Sequence, residues 1–329
     1  MTTPAATSSG RLLGLDALRG IAAFCVVLMH AHVLFPDTPQ LSAKAYLAVD
    51  FFFVLSGFVM ARTYEARLAQ GYGWARFFVA RYRRLWPTMF IGGVLFVPFI
   101  AEATGDPNPH WLGQIVPNLL LIPSPLSEVL FPVNVPAWSI FFELAANLLH
   151  GLVLWRFGLR GVLATSALCA VGLGFAAQAD GSLDIGSGHG ELLAGMLRVG
   201  VTYCMGIALW RAWGERPLGR WTAAPALIAL PVLFWIGGLP SFQTWLFDMA
   251  FVIVCAPVIM LAGLSLRGGP WAKWLGELSF PLYATHYPVL YWLRDTGFGP
   301  KPAILLSLSA AAILAIIQNS SAKSAKLTA

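Results

Sequence analysis

Asp16, Arg19 and His30 share one otherwise apolar stretch, LGLDALRGIAAFCVVLMHAH. At about 100° per residue, Arg19 and His30 fall within about 20° of one another after three helical turns, and Asp16 within about 40° of His30 after four. All three therefore lie on one stripe, with Arg19 and His30 about 16 Å apart along the axis. Ionisable groups inside an apolar span are costly and by default mark function. An imidazole is a general base at neutral pH, and a guanidinium binds anions. The stripe thus offers an anion site near one end and a base near the other. The competing reading is a local Asp16–Arg19 pair with His30 as a packing contact.

Further charges interrupt other apolar stretches. Asp50 opens VDFFFVLSGF, Glu143 closes WSIFFE, His286 closes LSFPLYATH, and Arg198 and Asp248 stand in two more. By depth, Asp50, Glu143, Arg198, Asp248 and His286 group with His30. A carboxylate beside an imidazole would orient it and stabilise its charged form, so Glu143 first and Asp50 second are expected next to His30. An oxyanion formed in such chemistry would be stabilised by Arg198 or by backbone donors. A helix-packing hydrogen-bond network is the competing reading, strongest for Arg198 and Asp248. The run ARFFVARYRRLWP places Arg76, Arg81, Arg83 and Arg84 among aromatic residues. It reads either as an interfacial helix with snorkelling arginines or as a site for a phosphorylated ligand, since arginine forks match phosphate geometry. No glycine-rich P-loop is present, which argues against an ATP motor.

The elements that must position these groups are membrane spans. Of 329 residues, 58% are hydrophobic and 11% charged, against roughly 25% charged in soluble domains. That excludes a disordered chain and argues strongly against a soluble enzyme. Apolar stretches of bilayer-crossing length fall at roughly 12–35, 46–64, 85–104, 138–156, 161–179, 192–210, 221–239, 243–264, 274–294 and 302–319. The Pro-broken stretch 111–131 reads as re-entrant or interfacial. The expected fold is an all-α integral membrane protein of about ten helices with both termini cytoplasmic. Residues 1–11 form a short tail, 12–319 one transmembrane domain and 320–329 a second tail. With this alternation only Lys44, Arg294 and Lys301 lie on the outer side and Arg19 and Arg198 within spans; the rest of the 21 basic residues face the cytoplasm, as the positive-inside rule requires. The net charge of +6 then reflects anchoring to inner-leaflet membrane lipid plus whatever the basic loop at 62–84 binds. Nucleic acid is not an expected partner. Cys25, Cys169, Cys204 and Cys255 sit in apolar runs and read as buried thiols, and no His/Cys cluster suggests a metal.

With these segments assembled, the chain resembles the membrane-bound acyltransferase family 3, O-acyltransferases that decorate cell-surface glycans. The resemblance rests on LDALRGIAAFCVVLMH (15–30), VDFFFVLSGFVMAR (49–62), RFFVARYRRLWP (76–87), PAWSIFFE (136–143) and LGELSFPLYATH (275–286). The Arg19–His30 and Arg81–Arg84 spacings are its most specific marks. The resemblance implies about ten spans in the inner or plasma membrane. It implies transfer of an acyl group, usually acetyl, from cytoplasmic acyl-coenzyme A to a hydroxyl, often of an extracytoplasmic glycan; some relatives acylate small molecules. It makes His30 the catalytic base and Arg19, Arg81 and Arg84 contacts for coenzyme A. Asp50, Ser56, Trp138, Glu143 and His286 match motif positions without individually assigned roles. The rival from the residues alone is a secondary transporter or lipid-linked sugar flippase using the buried charges as a proton relay. The lack of an internal repeat counts against it.

Overall fold

A computed structural model describes residues 10–100, 102, 112–125 and 127–327. Residues 1–9, 101, 103–111, 126 and 328–329 lie outside the described residues. Twelve α-helices are used below: α1 Leu13–Leu34, α2 Ala48–Ala69, α3 Trp74–Phe96, α4 Leu112–Leu119, α5 Ala137–Leu152, α6 Leu159–Asp180, α7 Leu192–Trp213, α8 Ala223–Ile236, α9 Trp245–Ala250, α10 Ala256–Gly263, α11 Pro270–Leu293 and α12 Pro300–Leu327. A π-helical turn, Phe251–Cys255, joins α9 to α10 into one continuous rod. Among the described residues β-structure is limited to one bridge between Val129 and Gly188.

Six helical bodies are long and apolar enough to cross a membrane: Leu13–Leu34, Ala45–Ala69, Leu159–Asp180, His189–Trp213, Trp245–Gly263 and Pro300–Ser320. The other long rods fall short for visible reasons. The first half of α3 carries four arginines, α5 and α8 have only 16 and 14 residues, and α11 bears a polar stripe. In α3 the basic run and the apolar run are one helix, whereas the sequence suggested a span beginning at 85. Pro87 sits inside it; a proline loses one ladder bond but does not stop a helix that is supported by neighbours. Likewise α12 continues to Leu327, so most of the expected tail is helical.

Of these six the most enclosed is Ala45–Ala69, which contains α2, with 83% of its apolar stretch buried against 22% for α6 and α12. So α2 is a central post, and α6 and α12 present apolar side chains outward. The tightest pairings are α1 with α11 and α2 with α7. The α2–α7 crossing depends on having no side chain at its contact. A Cβ on Gly57 would lie 2.0 Å from the Tyr203 carbonyl oxygen, and one on Gly206 2.1 Å from that of Val54. Small residues at such crossings let backbones approach where lipid provides no hydrophobic drive.

Long-range bonds sort the loops to two ends. At one end Arg62 binds Glu215 and the Gly10 carbonyl, Arg11 binds Glu277, and Asn319 binds Glu277. At the other, Lys44 N bonds the Phe234 carbonyl, Leu130 N that of Ser187, and Leu183 N the Asp248 carboxylate. Successive long helices therefore alternate in direction. The loop after α3 does not stay at its own end. Trp86 Nε1 donates to the Leu119 carbonyl at 2.8 Å and Tyr82 Oη to that of Leu120 at 3.1 Å, so α4 folds back along α3.

Candidate active site

The site is built along the α1–α11 seam. Three residues of α11, Ser279, Tyr283 and His286, recur at helical spacing and face inward. Ser279 and His286 meet the two polar ends of the α1 stripe. Arg19 Nε donates to Ser279 Oγ at 2.8 Å and its Nη2 to the Gly276 carbonyl at 2.5 Å, with Asp16 Oδ1 3.6 Å away. Asp16 itself is held by Arg11. Arg19 is thus aimed by neutral groups more than neutralised, because its nearest carboxylate is shared.

One layer across, Glu143 Oε1 accepts from Ser56 Oγ at 2.7 Å and from Arg81 Nη2 at 3.1 Å. These residues come from α5, α2 and α3. Arg81 is buried, yet its Nε has no hydrogen-bond partner among the described residues. Arg84, one turn on, is exposed and lies within electrostatic reach of Arg81, Arg19 and Glu143. Arg19, Arg81 and Arg84 therefore form a cationic group with Glu143 among them, and two of its guanidiniums have donors to spare. Such a group suits a multiply charged anion.

At the other end of the stripe, His30 Nδ1 lies 3.0 Å from His286 Nε2 and 3.1 Å from the Val26 carbonyl oxygen. His286 Nδ1 lies 2.9 Å from the Leu282 carbonyl oxygen. Tyr287 stands edge-on to His30, with centroids 5.3 Å apart. His286 is fully buried and His30 half-buried. One turn below, Tyr283 Oη pairs with Ser139 Oγ at 2.7 Å, and Ser139 donates to the Pro136 carbonyl at 3.1 Å.

The expected carboxylate beside His30 is a correction. His286 fills that place, Glu143 is engaged with Ser56 and Arg81, and Asp50 is engaged elsewhere. Asp50 and Arg198 form a fully buried pair, with Nη2 2.5 Å from Oδ2 and Nε 3.3 Å from Oδ1. Arg198 also donates to the carbonyls of Ile185 at 2.6 Å and Tyr46 at 3.3 Å, and lies over the Trp138 ring. Its donors are committed, which leaves it poorly suited to the oxyanion role suggested by the sequence. The set continues through Tyr46 Oη, which donates to Asp248 at 2.7 Å and accepts from Lys44 Nζ, also at 2.7 Å. Two cations and two carboxylates thus compensate each other and tie the ends of α2, α7 and α9 together.

The sequence argument overlooked Ser279, Tyr283, Lys44 and Tyr46. The first two carried a usable signal, their spacing of four and three residues from each other and from His286. Lys44 carried none, since it reads as an outer-loop lysine. A second buried network was also missed: His150 Nδ1 lies 3.0 Å from Tyr203 Oη, which donates to Asn147 Oδ1 at 3.0 Å. Among the described residues, no group of three or more His, Cys, Asp or Glu could hold a metal ion.

Comparison with known proteins gives this geometry a family. The family model described as "Acyltransferase domain", that of acyltransferase family 3, matches residues 12–317. "Protein 2 in picA locus" of Rhizobium radiobacter is 36% identical over 176 residues, covering 48% of this chain and 88% of that protein. "Acyltransferase MdmB" of Streptomyces mycarofaciens is 33% identical over 145 residues, covering 41% of this chain and 37% of that protein. No solved structure matches the chain. The family match spans α1 to α12 and takes in both ends of the α1 stripe, so the chain belongs to acyltransferase family 3 and is a transferase of acyl groups.

Proposed function

We propose that the chain is a ten-span O-acyltransferase of the cell's inner or plasma membrane, with both termini cytoplasmic. It moves an acyl group, acetyl by preference, from cytoplasmic acyl-coenzyme A to a hydroxyl of an extracytoplasmic glycan or related acceptor. The observation that carries this reading is the α1 stripe. Arg19 and His30 share one helix face about 16 Å apart, and α11 pins both, at Ser279 and Gly276 and at His286. A donor with phosphates at one end of a long arm and a thioester at the other needs cations near the cytoplasm and a base deeper in. The spare donors of Arg81 and Arg84 supply the phosphate end.

In the reaction, His30 takes the proton of the acceptor hydroxyl as its oxygen attacks the thioester carbonyl. The new C–O bond forms, the C–S bond breaks, and the proton passes from His30 to the departing thiolate. The products are the ester and free coenzyme A, with no net proton change. The acyl group reaches the far side through the protein, with no carrier moving.

The test is transfer of label from acetyl-coenzyme A into the envelope fraction of membranes containing the protein. His30→Ala, inserted at wild-type levels, is expected to lower transfer by about 10²–10⁴-fold, the usual worth of a general base. Wild-type transfer by that variant contradicts the assignment.

A further inference from the structure

The contacts around the two imidazoles decide which nitrogen of each carries the proton. The Leu282 carbonyl oxygen can only accept, so His286 Nδ1, 2.9 Å away, is the protonated nitrogen. Neutral His286 then has a bare lone pair on Nε2. That lone pair faces His30 Nδ1 at 3.0 Å. His30 Nδ1 also faces the Val26 carbonyl oxygen at 3.1 Å, another group that can only accept. Two acceptors converge on one nitrogen, so Nδ1 of His30 is its donor and Nε2 its free lone pair.

We infer that His286 is a positioning residue for the acyl-transfer base. It holds His30 in the Nδ1–H tautomer with Nε2 presented to the acceptor hydroxyl, and shares the charge when Nε2 takes the proton. The inference rests on the reading of His30 as the base and gives that base its orienting partner. A carbonyl alone would set the tautomer, but the Val26 carbonyl belongs to α1 itself and cannot fix His30 relative to the rest of the site. His286 belongs to α11, the helix that also aims Arg19 through Ser279 and Gly276. The same helix therefore orients both working ends of α1. The proton accounting is unchanged: the hydroxyl proton rests on His30 Nε2 and leaves to the thiolate, while the protons on both Nδ1 atoms stay in place. Tyr283 and Tyr287, ring neighbours of this pair, bring no formal charge to it.

The experiment has two arms. In the first, wild type, His286→Ala and His286→Gln are assayed in membrane vesicles with labelled acetyl-coenzyme A, measuring kcat and KM separately. His286→Ala is expected to lose about 10–100-fold in kcat, the size of loss seen when the hydrogen-bond partner that orients a metal-bound histidine is removed. Its KM for acetyl-coenzyme A should be unchanged. His286→Gln, whose Oε1 accepts a hydrogen bond, should recover about tenfold of that loss, one hydrogen bond's worth. Unchanged kcat in the alanine variant, a matched rise in KM, or equal loss in both folded variants overturns the inference. Should the variants fail to insert, the second arm needs neither. Nitrogen-15 NMR of histidine-labelled wild-type protein, with His30→Gln identifying the His30 signals, should show His30 protonated at Nδ1 and bare at Nε2. A proton on Nε2 overturns the inference. Inactivity of His30→Ala alongside wild-type activity of His286→Ala would sink the positioning role and leave the base reading standing. Activity in both would sink the base reading itself.

Discussion

At the scale of single residues, the working groups divide into those with capacity left over and those fully engaged. Arg81 Nε lacks a partner among the described residues and Arg84 is exposed, while each nitrogen of Arg198 donates to an acceptor. The division predicts different phenotypes. Arg81→Ala with Arg84→Ala is expected to raise KM for acetyl-coenzyme A by at least about tenfold, the worth of one charge-assisted hydrogen bond, with kcat little changed. Steady-state kinetics check this, and unchanged donor affinity would reduce the basic run to a membrane anchor. Much of the site was legible at this scale, because helical period alone puts Asp16, Arg19 and His30 on one face. The partner of His30 was not. Period fixes which side of α1 is occupied but says nothing about which helix stands opposite, and His286 lies 256 residues away. A carboxylate was the natural expectation on charge grounds. The structure supplies a second imidazole, which serves the same geometric need with one lone pair.

At the scale of elements, two devices hold the seam in place. The first is the glycine contact between α2 and α7. Gly57→Ala is expected to destabilise the protein by about 1–3 kcal/mol through overpacking, because its Cβ would meet backbone rather than a movable side chain. Thermal unfolding in detergent reads this as a lowered midpoint. The second is the buried set of Asp50, Arg198, Tyr46, Lys44 and Asp248. Arg198→Met leaves Asp50 buried without its counter-ion and is expected to cost about 3–5 kcal/mol. The double variant with Asp50→Asn should recover part of that. Loss of transfer in Arg198→Met at wild-type stability would instead mean that Arg198 touches substrate. The helices corresponding to most apolar stretches were visible from hydropathy, α1 over Leu13–Leu34 and the α9–α10 rod over Trp245–Gly263 among them. The start of α3 was not. Its first three turns carry the arginines proposed to bind the donor, and an apolar stretch starts only after them. Those arginines themselves hid the helix boundary.

At the scale of the whole molecule, the bundle has a cation-rich end and, toward the other end, the compensated charges around Asp50. The α1–α11 seam runs between them. The segment after α3 bends back toward Tyr82 and Trp86, where the sequence read the Pro-broken stretch 111–131 as re-entrant or interfacial. That fold-back depends on contacts to α3 that no local pattern announces. The low charge content that points to a membrane protein also picks out the few charges retained inside, since each of them needs a partner or a use. The most direct measurement uses sealed inside-out membrane vesicles given labelled acetyl-coenzyme A from the cytoplasmic face, with wild type and His30→Ala compared. The account predicts ester label that depends on His30 and is protected inside the vesicle from an added esterase. Label exposed on the donor side, or protected label that survives His30→Ala, would contradict it.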